Sequence, residues 1–253
     1  NYRSENGERA NADLEALTFW AQFKQQLTPK DTLFVQSVYY DYEAGDVAQY
    51  YNNYGPYGPG GSSPSLTRRV NENQEPLVFA GYHHEWTPGV HTLFLAGRLH
   101  DDFRLTQNDQ VYRVLTKTGS TVSSVQDRVA AVDLRSELEG YSTELQQVWQ
   151  QPKQTVILGG RYQTGSQDTT SILTGLPTGF GSRFDVDTDL ERYGVYGYHQ
   201  WQVLEPLRLT LGLSYDRMDY PQNIDFAPVI SRQTSTDRVA TKAGLLWTPA
   251  PNT

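Results

Sequence analysis

The sequence predicts an all-β fold: one antiparallel up-and-down sheet of about nine to ten strands. Three observations predict it. Aromatic residues make up 12% of the 253 residues, while 21 glycines and 13 prolines punctuate the chain. That is the composition of strands and turns. Apolar residues recur at every second position through several long segments, the period of a pleated strand. The connections also sort by length, so that Pro-centred turns alternate with long polar segments.

The rows can be taken in chain order. Leu17, Phe19, Ala21 and Phe23 fall on one face, with Thr18, Trp20, Gln22 and Lys24 on the other. Leu93, Leu95, Gly97 and Leu99 alternate with Phe94, Ala96, Arg98 and His100. Val156, Leu158, Gly160 and Tyr162 form a further row. Leu207, Leu209, Leu211, Leu213 and Tyr215 form another, and Val239, Thr241, Ala243, Leu245 and Trp247 close the series. Weaker rows lie at 32–42, 77–86, 137–149 and 190–203. Tight turns are expected at Thr28–Asp31, Thr87–Gly89, Gln151–Lys153, Glu205–Pro206 and Thr248–Pro249. The polar segments 43–76, 106–135, 165–189 and 218–236 read as long loops.

In an up-and-down sheet, alternate connections lie at opposite ends. Here every tight turn falls at one end and every long segment at the other. Outer-membrane β-barrels have this asymmetry, with short periplasmic turns and long extracellular loops. The predicted fold is therefore a transmembrane β-barrel, or part of one. A mean hydropathy of −0.61 fits, because only the lipid face of a barrel is apolar. It excludes a bundle of membrane helices, each of which needs a run of about 20 apolar residues. The net charge of −8 disfavours nucleic acid as a partner. With no cysteine, disulfide frameworks and thiolate metal sites are excluded. Trp86, Trp149, Trp201 and Trp247 each precede a turn proline by a few residues. That is the placement of an aromatic girdle at the boundary between outer-membrane lipid and water. Leu95 and Leu211 read as lipid-facing, so a charge at either is expected to cost about 2–4 kcal/mol at the bilayer midplane.

Several hairpins carry a more specific likeness. Leu27–Gln36, Gly81–Gly89, Gly97–Asp102, Leu213–Pro221 and Lys242–Pro249 resemble barrel hairpins of TonB-dependent receptors. The resemblance implies a receptor in the outer membrane of a Gram-negative-type bacterium. It further implies uptake of a siderophore, cobalamin, glycan or similar ligand, driven by a TonB-type partner. On this reading residues 1–253 are a segment of a single outer-membrane β-barrel domain of about 22 strands. No plug domain, TonB box or terminal aromatic strand is recognisable within them. The alternatives are a soluble carbohydrate- or surface-binding β module and a passive porin-like barrel.

Candidate binding residues follow from side-chain chemistry. Tyr50, Tyr51, Tyr54 and Tyr57, interleaved with Asn, Gly and Pro, make a broad amphipathic contact surface. Asp185, Asp187 and Asp189 alternate along a strand and offer oxygen ligands to Ca²⁺, but the glycine and glutamate of the helix-loop-helix calcium motif are absent. The histidines His83, His84, His91 and His100 gather near the second hairpin, where His83 and Glu85 share a face and need a third metal ligand from a neighbour. No catalytic motif is present: there is no Gly-x-Ser-x-Gly elbow, no His-Glu-x-x-His pair and no phosphate loop. The chain is therefore expected not to be an enzyme and to need no resident cofactor.

Overall fold

The computed structural model describes residues 1–47, 64–177, 183–222 and 232–249. These form β1 (Tyr2–Glu5), β2 (Leu14–Gln26), β3 (Asp31–Ala44), β4 (Arg69–Thr87) and β5 (Val90–Thr118). There follow β6 (Thr121–Gln151), β7 (Gln154–Thr174), β8 (Arg183–Leu204), β9 (Leu207–Pro221) and β10 (Gln233–Trp247). All ten strands lie in one sheet in chain order, and every neighbouring pair is antiparallel. This is an open portion of an up-and-down β-barrel. Among the described residues there is no second layer to cover the sheet, as a soluble sandwich would require.

The tight turns at Thr28–Asp31, Thr87–Gly89, Gln151–Lys153 and Glu205–Pro206 fall where the prolines predict, while Thr248–Pro249 ends the described residues. Thr87 and Val90 are joined through Pro88 and Gly89, whose φ of 80° a side chain would strain. The long segments differ from expectation. Residues 106–135 are almost entirely strand, because β5 and β6 run on to a turn at Gly119 and Ser120. Likewise β7 and β8 take up most of 165–189, and β9 and β10 much of 218–236. β4 starts at Arg69 and passes through Pro76 at a register shift between Glu75 and Val78, a position where proline is tolerated. β1, only four residues long with Tyr2 as its one aromatic, has no apolar row that could reveal it.

Register shows why these polar stretches are strands. Directly opposed residues share a face. The row Leu33, Tyr82, Phe94, Leu145, Gly160, Val195, Tyr215 and Val239 therefore lies on one face. Val195 and Val239 on it are 60% and 63% exposed, as lipid-facing side chains are in the absence of lipid. The adjacent row on the other face runs through Lys24, Phe34, Gly81, Leu95, Glu144, Arg161, Gly194, Asp216 and Arg238. The first is the outer face and the second lines the inner wall. Leu211 is outward as expected, but Leu95 is inward, opposite Gly81 and Glu144. Both faces of β5 are apolar here, so alternation alone could not orient it.

Away from the turns, the polarity of the faces reverses. Tyr141, Tyr162 and Tyr193 stand on the outer face, eight residues from the Trp149 and Trp201 positions in the case of Tyr141 and Tyr193. That span is about 26 Å of strand. At a tilt near 40° it becomes about 20 Å, comparable to the apolar band of outer-membrane barrels. From the tyrosine level outward, beginning with Arg98 opposite Tyr141, the outer face carries cross-strand ion pairs. Arg98 reaches Glu139 at 3.0 Å, Arg135 reaches Asp102 at 2.8 Å, and Arg104 reaches Asp133 at 2.9 Å. Meanwhile Val132, Leu134, Leu173 and Val186 form a buried cluster on the inner side, with Phe103, Leu105 and Phe184 against it.

These faces predict different responses to charge. Leu211→Arg should cost about 2–4 kcal/mol of folding free energy in a bilayer, and Leu95→Arg clearly less because its side chain meets the polar interior. Denaturant titration of both variants in lipid vesicles measures the difference.

Candidate functional site

Two arrangements of polar side chains stand out. The first is on the inner wall between β6 and β9. Glu144 and Arg161 are register partners, and Arg161 donates through Nε and Nη2 to Glu144 Oε2 at 2.8 and 2.7 Å. Tyr196 donates its hydroxyl to Glu144 Oε1 at 2.5 Å and accepts from Gln146 Nε2 at 2.9 Å. Arg192 donates to Asp216 at 2.9 Å alongside them. Tyr196 reaches Glu144 because its ring lies over Gly159, where a Cβ would come within 2.3 Å of it. Together these residues line a recess of about 370 Å³ that offers both guanidinium donors and carboxylate acceptors.

The second arrangement is a clasp at the opposite end from the tight turns. Asp46 is 1% exposed and accepts from the Ser65 amide at 2.6 Å, with Arg68 at 3.4 Å. Ser65 Oγ donates to Asp109 Oδ1 at 2.5 Å, and the Leu66 amide donates to Asp109 Oδ2 at 3.0 Å. Asn11, at a φ of 61° that asparagine tolerates better than most residues, donates to the carbonyls of Ser65 and Arg68 at 2.9 and 3.0 Å. Arg69 ties the clasp to Asp13 at 2.5 Å. The clasp thus joins both flanks of 48–63. The tyrosines expected to bind ligand, Tyr50, Tyr51, Tyr54 and Tyr57, lie outside the described residues.

The acidic trio is on the outer face of β8 beyond the tyrosine level. Asp185 is held by Arg183 at 2.7 and 2.9 Å and by Thr170 at 2.8 Å, while Asp187 opposes Asp168 and Asp189 opposes Ser166. Burial, then the charges of Asp187 and Glu137, push the Asp168 carboxyl above its ordinary range. Alternate strand positions are about 6.7 Å apart. Arg183 already donates to both oxygens of Asp185, so a calcium ion there would have to displace it. Among the described residues no three His, Asp or Glu side chains converge to hold a metal ion. Trp86, Trp149, Trp201 and Trp247 all sit on the outer face at the turn end, and Trp86 donates to Thr92 at 2.8 Å. Trp20, by contrast, pairs with Val38 and faces inward.

Neither the inner-wall network nor the clasp was singled out in the sequence. Glu144 and Gln146 flank Leu145, and Arg161 lies between Gly160 and Tyr162, a signal that becomes readable once strand faces are known. The clasp joins residues far apart in sequence, so no local pattern marks it.

Known proteins give a consistent picture. The profile of the family described as "TonB dependent receptor-like, beta-barrel" matches residues 10–253. No curated protein sequence matches the chain. Among solved structures, the unliganded ferric citrate transporter FecA aligns with a TM-score of 0.66 at 14% identity, covering 96% of this chain and 35% of that one. BauA, the ferric preacinetobactin receptor from Acinetobacter baumannii, aligns at 0.67 and 11% identity, covering 98% of this chain and 40% of that one. The copper transporter OprC aligns at 0.63 and 11% identity, over 99% of this chain and 36% of that one. At these identities the likeness is one of fold, and the chain spans well under half the length of each.

The clasp yields a pH prediction. Arg69 holds the Asp13 carboxyl below its ordinary range. Burial pushes Asp109 up, but hydrogen bonds from Ser65, Thr67 and the Leu66 amide outweigh it and leave Asp109 low. Carboxyls lowered by folding stabilise above their unfolded value of about 3.9, and that contribution is lost as pH falls from there through the lowered folded value. Hydrogen exchange at the Leu66 amide, which donates to Asp109, should stay slow from neutral pH down to about 5 and lose its protection progressively below about 4, once corrected for intrinsic rates. Asp46→Ala should remove protection at Ser65 at neutral pH, costing about 1–3 kcal/mol locally.

Proposed function

The chain belongs to the TonB-dependent receptor β-barrel family, and from that premise we propose that it forms part of the wall of an outer-membrane receptor that imports a ligand. The family consists of receptors and transporters rather than enzymes. The ligand would be a siderophore, cobalamin, glycan or similar molecule, and a TonB-type protein would energise its passage. The envelope would be of the Gram-negative type. The observation that carries this reading is the contrast between the faces: an apolar outer band between tryptophan and tyrosine rows, backed by the Glu144–Arg161–Tyr196 wall. On this reading the four tryptophans meet lipid headgroups on the turn side. The clasp holds the base of the segment bearing Tyr50, Tyr51, Tyr54 and Tyr57, which would capture ligand outside the cell.

Transport of a polar ligand along the wall needs donors and acceptors that already balance one another, so that a passing carboxylate, hydroxamate or sugar exchanges partners without meeting an uncompensated charge. Arg161 and Glu144 can each release one bond to a ligand while Tyr196 and Gln146 keep the carboxylate in place.

The test uses cells whose own receptors are deleted and which express the full polypeptide, supplied with radiolabelled ferric siderophores, cobalamin or oligosaccharides. For one of these, surface binding should persist in the presence of a protonophore while uptake stops. Arg161→Ala should lower that uptake by roughly tenfold, the equivalent of about 1.4 kcal/mol lost at one charged hydrogen-bonding site. Uptake that continues unchanged with the protonophore would favour the passive porin-like barrel.

A further inference from the structure

We propose that His83 and His91 form a two-imidazole site for a divalent transition-metal ion of the copper or nickel kind, on the inner wall near the tight turns. The site does not depend on which ligand the receptor imports.

His83 on β4 and His91 on β5 belong to the same hairpin, and both are on the inner face. His83 Nε2 and His91 Nδ1 are 3.0 Å apart, with ring centroids 5.1 Å apart and planes inclined by 29°. In the metal-free pair one ring N–H donates to the other ring's lone pair. If that proton moves to the far nitrogen of its own ring, both lone pairs border the same gap. Small rotations about the two side-chain bonds then aim them at a common point.

The separation selects the metal geometry. With metal–nitrogen bonds of about 2.05 Å, a 3.0 Å edge subtends about 95° at the metal, below the tetrahedral value of about 109°. It therefore fits the cis edge of a square-planar or tetragonal centre, the preference of Cu²⁺ and Ni²⁺. Glu85 opposes His91 in register on the same face, but among the described residues no third His, Asp or Glu side chain converges on the pair. The remaining positions are open to water or to donor atoms of a bound molecule. His83 also lines a recess of about 620 Å³ with Lys24, Phe34, Leu95 and Glu144, large enough for such a molecule.

The other histidines have different surroundings. His84 bonds Asp31 at 2.6 Å and His100 bonds Glu137 at 3.1 Å, both on the outer face, and His199 stacks on Trp201 at 6.5 Å. His83 and His91 are the two that meet each other.

The experiment titrates the full polypeptide, purified in detergent, with Cu²⁺ and follows electron paramagnetic resonance. One equivalent should give a tetragonal spectrum, and pulsed measurements on the unaltered protein should show modulation from two coupled imidazoles. His83→Ala and His91→Ala should each weaken binding by at least about tenfold, the low end of what even outer-sphere partners contribute. His84→Ala and His100→Ala should leave it unchanged. Modulation from one imidazole or none in the unaltered protein would overturn the proposal without any reliance on variants that fold. So would equal binding by the His83 and His91 variants.

Discussion

A bilayer offers no water to an open N–H or C=O, so a strand that crosses it must give its backbone groups to its neighbours. The unbroken antiparallel pairing from β1 to β10 meets that demand, and the other features of the molecule follow from it. Because register is fixed strand by strand, a side chain's face is fixed as well. A slip of β6 and β7 by one residue against their neighbours would send Glu144 and Arg161 into lipid and Leu145 into the interior. The bulges near Pro76 and in the turns absorb irregularities without changing which face meets lipid between the tryptophan and tyrosine rows.

The strands continue past the bilayer, and there the solvent changes while the pairing does not. From the tyrosine level outward the outer face meets water, so it carries Arg98, Arg104 and Arg135 paired with acids. The inner face becomes the apolar one and buries Val132, Leu134, Leu173 and Val186. One sheet therefore has two opposite polarity patterns along its length. The exposed ion pairs contribute little stability individually, at about 0–1 kcal/mol each. Their main consequence is solubility of a tall wall whose neighbours do not reach as far as β5 and β6.

This reversal also explains what could be read from the sequence. The rows from Leu207 to Tyr215 and from Val239 to Trp247 were legible because one apolar and one polar face alternate cleanly. The Pro-centred turns were legible because proline leaves the ladder there. The segments 106–135 and 165–189 looked like loops because their charged outer face masks a strand whose apolar side chains point inward. Leu95 could not be oriented, since Phe94 and Ala96 beside it are apolar too. The inner-wall network depends on register between β6, β7 and β8, and the clasp joins Asn11, Asp46, Ser65 and Asp109 across long separations. Such contacts are made by topology, and local composition does not mark them.

The central claim is that odd-numbered residues of β9 face lipid and even-numbered ones the aqueous interior. The chain has no cysteine, so single cysteines can be placed one at a time along 207–215 and labelled with an environment-sensitive fluorophore. In lipid vesicles, nitroxide-bearing lipids should quench the label at 207, 209, 211, 213 and 215, and iodide should quench it at 208, 210, 212 and 214. Quenching without a two-residue period, or with the opposite phase, would contradict the account.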